Sequence, residues 1–101
     1  MLKILQINYR LNSAISDFLR ESAPIAETLA AVPGLRWKIW LSNEKSREGG
    51  GIYLFETEAA MKDFIDGPIV EKLKTNPAVA EVSFKEFDSS PELSKLTRAP
   101  I

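Results

Sequence analysis

Two residue types are missing from this 101-residue chain, cysteine and histidine. Without cysteine there can be no disulfide, no thiolate nucleophile, no iron–sulfur cluster and no Cys-ligated zinc. Without histidine the commonest metal ligand, the histidine-type axial ligand of haem and the base of any Ser-His-Asp or Cys-His arrangement all fall away. Charge of one sign is lacking too: thirteen Lys and Arg against fourteen Asp and Glu leave a net charge of −1. No field draws in a phosphate backbone or an anionic bilayer, so neither nucleic acid nor membrane is an expected partner. The longest apolar runs fall well short of the roughly 20 residues that span a bilayer. Near the N-terminus, Gln6 and Asn8 interrupt the apolar stretch and no small-residue cleavage site follows, so it reads as a strand rather than a signal and the expected location is cytoplasmic. Any catalysis must rest on carboxylates, Tyr, Lys, Arg, amides or the reactivity of the substrate itself.

With 45% hydrophobic and 27% charged residues, the composition is that of one soluble globular domain spanning 1–101. Its core must be modest, because small domains leave much of their surface exposed. Leu2 to Tyr9 reads as a strand. Asn12 and Ser13 offer capping oxygens to a helix in which Ile15, Phe18, Leu19, Ala26 and Leu29 recur at helical spacing, as far as about Ala31. Pro24 lies inside that pattern and predicts a bend, or a restart after Ser22. Leu35 to Asn43 and Gly50 to Glu56 form a hairpin across a charged connection, Glu44 to Gly49, with three glycines where the chain begins its return. Thr57 caps a second helix marked by Met61, Phe64 and Ile65. After Gly67-Pro68 a short third helix carries Ile69, Val70 and Leu73, closed by Asn76-Pro77. Val79 to Phe87 is the last strand. The tail over 89–101 holds Ser90-Pro91-Glu92, a helix start with Leu93 and Leu96 as its apolar residues.

This order, β-α-β-β-α-β, predicts a ferredoxin-like α+β fold: a four-stranded antiparallel sheet with its helices on one face. Such a sheet should alternate apolar and polar residues, and these strands do not. Simple alternation groups Leu35, Trp37, Ile39 and Leu41 against Trp40, Ile52 and Leu54 against Tyr53 and Phe55, and Val82 and Phe84 against Val79 and Phe87. Both faces look apolar, yet the helices cover one. A second copy packed sheet to sheet is the simplest cover for the other, which predicts a two-fold homodimer.

The combination Leu35-x-Trp37-Lys38-x-Trp40, Glu44-Lys45 and Gly50-Gly51-Ile52-Tyr53-Leu54-Phe55 resembles the YdhR-like family of monooxygenases. The likeness runs from Leu5-Gln6 through Asn12, Pro24 and Pro33-Gly34 to Phe87-Asp88 and Leu93. The resemblance implies a dimeric α+β barrel, in which two ferredoxin-like subunits join their sheets. It also implies oxidation of a small aromatic substrate, polyphenolic or quinol-like, with O₂ and with no metal or other cofactor. There the deprotonated substrate itself reduces oxygen, and the protein binds, orients and polarises.

Five residues are candidates for binding such a substrate. Trp37 and Trp40 point to opposite faces of a regular strand, so at most one lines a given cavity; either could stack on an aromatic ring or simply pack. Tyr53 is the best proton-handling group of the hairpin, though a buried hydroxyl also needs a structural partner. Gln6 and Asn8 set two amides on an otherwise apolar face, to meet a substrate oxygen or to satisfy each other, a strand or water. Tyr53 and Asn8 are the candidates for catalysis. Lys38 and Arg36 share a face with Trp40 and could hold an anion, but charges at such positions usually reach out to solvent. Gly49 to Gly51 is no phosphate loop, since neither GK[ST] nor a helix follows.

Two other classes fit the same plan. A dimeric protein that merely binds a small hydrophobic ligand shares every feature above and separates from an oxygenase only by turnover. An RNA-recognition domain shares the topology, but its basic residue and exposed aromatics are missing and the sequence pI is about 5.5, the wrong sign for that role.

Overall fold

The computed structural model covers all 101 residues. Four strands, β1 (Lys3–Leu11), β2 (Leu35–Asn43), β3 (Glu48–Phe55) and β4 (Val79–Asp88), alternate with α1 (Ile15–Ala30), α2 (Glu58–Ile65) and α3 (Pro68–Thr75), and a short α4 (Pro91–Leu96) follows. The strands form one sheet in the order β2-β3-β1-β4, and every pairing is antiparallel. This is the ferredoxin-like βαββαβ plan, with β1 and β3 central. No helix is long and apolar enough to cross a membrane.

The core lies between the sheet and α1 to α3. Leu5, Ile7, Tyr9 and Leu11 of β1 and Tyr53 and Phe55 of β3 meet Ile15, Phe18 and Leu29 of α1, Met61 and Phe64 of α2 and Val70 of α3. Odd positions of β1 carry this face because side chains alternate along a strand. Three aromatic rings anchor its centre, Phe64 standing 5.2 Å from Tyr53 and 5.5 Å from Phe55 between ring centroids. Tilted contacts at these spacings add to the burial of the rings themselves.

Several local expectations are corrected. Neither Asn12 nor Ser13 caps α1: its N-cap is Ala14, without a side-chain bond, and the Asn12 amide donates instead to the Pro77 carbonyl at 3.1 Å, tying two loops together. Helix α1 continues through Pro24 as one element, so no new helix starts after Ser22. The proline lacks the N–H that would reach the Arg20 carbonyl, but both residues are exposed, where water satisfies the freed oxygen. Strand β3 begins at Glu48, so Gly49 joins Gly50 and Gly51 inside it rather than ending the connection, and the three lie opposite Tyr9, Asn8 and Ile7 of β1.

Two bulges change the faces that simple alternation assigns. Leu35 pairs with Phe55 while Trp37 pairs with Leu54, so Arg36 is an extra residue. Leu35 therefore joins the core, and Trp37, Ile39 and Leu41 turn outward. On β4, Ser83 faces Asn8 and Ala80 faces Arg10, with Glu81 at φ 55°. The added residue lets Val79 pack on the core together with Val82 and Phe84, instead of siding with Phe87. A bulge inserts one residue into one strand and so inverts the parity beyond it.

The outer face carries Ile4, Gln6 and Asn8, Ile52 and Leu54, Trp37, Ile39 and Leu41, and Phe87, in register across the strands. Leu54 is fully buried there, but Ile39 and Phe87 are 48% and 47% exposed. The Trp37 indole N–H donates to the Pro100 carbonyl at 2.9 Å, fastening the C-terminal segment to β2.

Candidate functional site

Between α1, α3 and the sheet lies a cavity of about 220 Å³. Its floor is the helix-side face of the sheet, where Tyr9, Lys38, Trp40 and Tyr53 sit on three neighbouring strands. Phe18, Ile25 and Leu29 of α1 and Ile69 and Leu73 of α3 form apolar walls, and Glu21, Lys72 and Asn76 stand at its rim. A larger, shallower groove of about 650 Å³ runs between the end of α1 and the α2–α3 helices. Asp63 is its only charged lining residue, and it offers no tyrosine, tryptophan or lysine. The smaller cavity is therefore the candidate site.

Lys38 is the least expected member. It does not reach for solvent: its ammonium nitrogen lies 3.3 Å from the centroid of the Trp40 ring and 4.7 Å from that of Tyr53. Its cross-strand partner is Tyr53, and that of Trp40 is Gly51. Glycine makes the posture possible, since a Cβ on Gly51 would stand 2.6 Å from Lys38 Cε. Gly49 does the same for Tyr9, whose Cε1 would lie 2.8 Å from an added Cβ. Two of the three glycines thus clear a floor on which a lysine chain and a phenol ring lie flat.

None of the chain's ion pairs engages Lys38. No side-chain hydrogen bond engages Lys38, Tyr9 or Tyr53, and no enclosed side-chain N or O lacks a partner. Their polar heads accordingly open onto the cavity. Burial there disfavours charge. It lowers the Lys38 ammonium to about 7 and raises the Tyr9 phenol to about 12. The Tyr53 phenol is pushed up further, by burial first and by neighbouring Tyr9 second. Near neutrality the floor presents an amine that exchanges its proton readily and two phenols that keep theirs.

Of the residues singled out in the sequence, Trp40 and Tyr53 line this cavity. Gln6, Asn8 and Trp37 lie on the opposite face of the sheet. There the Gln6 amide donates to the Asn8 side-chain oxygen at 3.4 Å and Trp37 holds Pro100. The sheet separates the two groups, so one pocket cannot collect all five. Tyr9 and Lys38 are the additions. Tyr9 could have been found from its parity with Leu5 and Ile7, and Lys38 from its parity with Trp40 beside the space that Gly51 leaves across the hairpin.

The family model described as "Putative mono-oxygenase ydhR" matches residues 4–100. The chain belongs to the ydhR family. Among curated proteins none matches the sequence. Solved structures do. SnoaB of Streptomyces nogalater, a cofactor-independent oxygenase, superposes with a TM-score of 0.71 at 15% identity, over 88% of this chain and 93% of its own. A protein of Chloroflexus aurantiacus described as a "putative Antibiotic biosynthesis monooxygenase" superposes with a TM-score of 0.67 at 16% identity, over 89% of this chain and 94% of its own. The haem degrader MhuD of Mycobacterium tuberculosis, which holds two haems in its active site, superposes at 0.66 and 18% identity, over 85% and 94%. At these identities the likeness is one of fold alone.

Proposed function

We propose that this protein is a cofactor-independent monooxygenase that oxidises a small phenolic or enolic compound with O₂ in the cavity between α1, α3 and the sheet. The observation that carries the reading is Lys38: an unpaired amine between two aromatic faces, with two phenols opening onto the same space. Family membership and the oxygenase of like fold support it.

The aromatic floor and apolar walls receive the flat body of the substrate. A cavity of about 150 Å³ suffices for benzene, so 220 Å³ suits one ring, or two, rather than a larger polycycle. Lys38 in its neutral form takes the proton of the substrate hydroxyl, and the resulting ammonium stays beside the oxyanion it created. A base whose pKa lies near ambient pH is well matched to this step. Tyr9 and Tyr53, still protonated, donate hydrogen bonds to the charge that develops on oxygen. The electron-rich anion reduces O₂ by one electron, the radical pair joins as a carbon–oxygen bond, and the peroxide loses water to leave a carbonyl. The balance is CH₂ + O₂ → C=O + H₂O for an activated methylene, or phenol + O₂ → quinone + H₂O. Electrons come from the substrate, and the protein supplies position, proton transfer and a dry site.

The exposed Ile39 and Phe87 lie on a sheet face of roughly 400 Å² at the usual strand spacing, as large as the biggest apolar patch of most monomers. A second copy packed against this face, as a homodimer, accounts for it. Sedimentation at micromolar concentration should show twice 11.3 kDa, and a single-chain species would refute the dimer.

Oxygen uptake with a panel of one- and two-ring phenols and quinols tests the activity. A rate above buffer that falls at least tenfold in Lys38→Met and in Tyr53→Phe is expected. Tight binding of the same compounds with no uptake would instead make this a ligand-binding protein.

A further inference from the structure

The amine of Lys38 has a second capacity that oxygen chemistry does not use. A lysine that is neutral for much of the time and held against an apolar cavity carries an available lone pair, and such amines condense with carbonyl compounds. We propose that Lys38 is a covalent carbonyl-binding residue: its amine adds to a small aromatic aldehyde or ketone seated in the cavity and holds it as an imine.

Three features carry this. Access is one, because the nitrogen lies over the Trp40 and Tyr53 rings at 3.3 and 4.7 Å from their centroids, in a side chain that lines the cavity. Freedom is another, because no carboxylate lies within ion-pair distance to hold the amine as an ammonium; Glu21 and Lys72 stand at the rim. The third is complementarity. Phe18, Ile25, Leu29 and Leu73 offer an aryl group the contacts it loses on leaving water, and the tyrosine phenols offer hydrogen bonds to the carbonyl oxygen.

The condensation balances without an oxidant. The nitrogen lone pair forms a C–N bond as the carbonyl π-bond breaks, and an N–H proton passes to oxygen to give the carbinolamine. Water at the cavity mouth then protonates the departing hydroxyl, which the phenols hydrogen-bond, and solvent takes the remaining proton from nitrogen. The C–O bond breaks, C=N forms, and one water leaves. Burial places the amine near 7, so it is about half unprotonated at neutral pH, against under about one part in a thousand for an ordinary lysine. The lower basicity takes back part of that advantage, leaving roughly a 10- to 100-fold kinetic preference over surface lysines.

The experiment uses benzaldehyde and cyanoborohydride with the intact protein at pH 7 under argon, followed by whole-protein mass and peptide mapping. The expected result is a first benzyl adduct on Lys38, formed roughly 10- to 100-fold faster than on any of the other seven lysines, and slowed by excess benzyl alcohol, which fills the cavity without condensing. Lys38 labelled no faster than the surface lysines, or labelling indifferent to benzyl alcohol, would overturn the proposal. Because oxygen is excluded, the outcome is independent of the monooxygenase reading. A protein that traps the aldehyde yet never consumes O₂ fails only the latter, and one that consumes O₂ without trapping fails only the former.

Discussion

Lys38→Met should stabilise the protein at pH 7 while removing its activity, and the gain should fade as the pH rises. In the unfolded chain the amine titrates near 10.4; in the folded protein burial lowers it to about 7. Between those values the unfolded state holds a proton that the folded state has released, so stability rises with pH across this window. Below about 7 both states are protonated and the full cost of burying the charge is present. Integrated over the shift, that cost has a ceiling of about 4 kcal/mol at pH 7 and about 2 kcal/mol at pH 9. Cation–π attraction to Trp40, 3.3 Å from the ammonium nitrogen, favours the charged form and offsets part of that cost. Lys38 is only half-buried, so water screens the charge and about half the ceiling is the realistic figure. Methionine keeps the length of the chain, fills the same groove and carries no charge. The expected gain is therefore about 2 kcal/mol at pH 7 and under about 1 kcal/mol at pH 9, and in a domain this small the first figure raises Tm by roughly 8–16 °C. Urea titrations of both proteins at pH 6, 7, 8 and 9 provide the test. Tyr9 and Tyr53 do not disturb the window, because their unfolded phenols ionise only near 10. A Lys38→Met protein less stable than the parent at pH 7, or a difference constant from pH 6 to 9, would refute the argument.

Two further outcomes follow from the same geometry. Gly51→Ala pushes Lys38 Cε aside but meets no backbone atom closer than the Ile39 carbonyl at 3.3 Å, so stability in urea should change by less than about 1 kcal/mol. Oxygen uptake should nonetheless fall at least tenfold. Gly50→Ala, one residue away, drives its Cβ into the Ile7 carbonyl and should cost more than about 2 kcal/mol. The pH profile of kcat/KM should rise with an apparent pKa near 7 as Lys38 loses its proton, with no fall below pH 10 because the Tyr9 phenol holds until about 12. A rise centred above pH 9 would remove Lys38 from the role of base.

Topology was legible in the sequence because it rests on long-range order of elements: two apolar strand–helix units, each closed by Pro-Gly or Asn-Pro signals, admit few other plans. Strand faces were harder to read. Alternation holds only while strands are paired one residue to one, and the extra residues at Arg36 and Glu81 leave no mark in composition. They moved Leu35 and Val79 to the core side. The fate of Lys38 was hidden for a different reason. A lysine in a strand normally extends to water, and what prevents it here is the missing side chain of Gly51, a residue distant in the chain and adjacent only after pairing. Gln6 and Asn8 were drawn into the candidate site as amides on an apolar face, and Trp37 as an aromatic able to stack. The parity of the two amides was right, the bulge at Arg36 separated Trp37 from Leu35, and the cavity lies on the other side of the sheet.

The glycine triplet joins fold and chemistry most closely. Glycine in a strand interior weakens it, and three in succession in β3, a central strand flanked by β1 and β2, need a reason. Gly49 leaves room for Tyr9, Gly51 for Lys38, and Gly50 for close approach to the β1 backbone. Side chains at 49 and 51 would stand where the phenol and the lysine chain now lie, filling the cavity floor with apolar bulk of the kind that Phe55 supplies further along. That substitution would make a better-packed sheet with no amine inside it. The strand is therefore built below its achievable stability at the place where the amine must be admitted, and the penalty of holding Lys38 out of water falls at that same place. A desolvation cost and poor local propensity that converge on one cavity, with the rest of the sheet regular apart from two bulges, are what the proposed chemistry at Lys38 requires and what the fold alone does not.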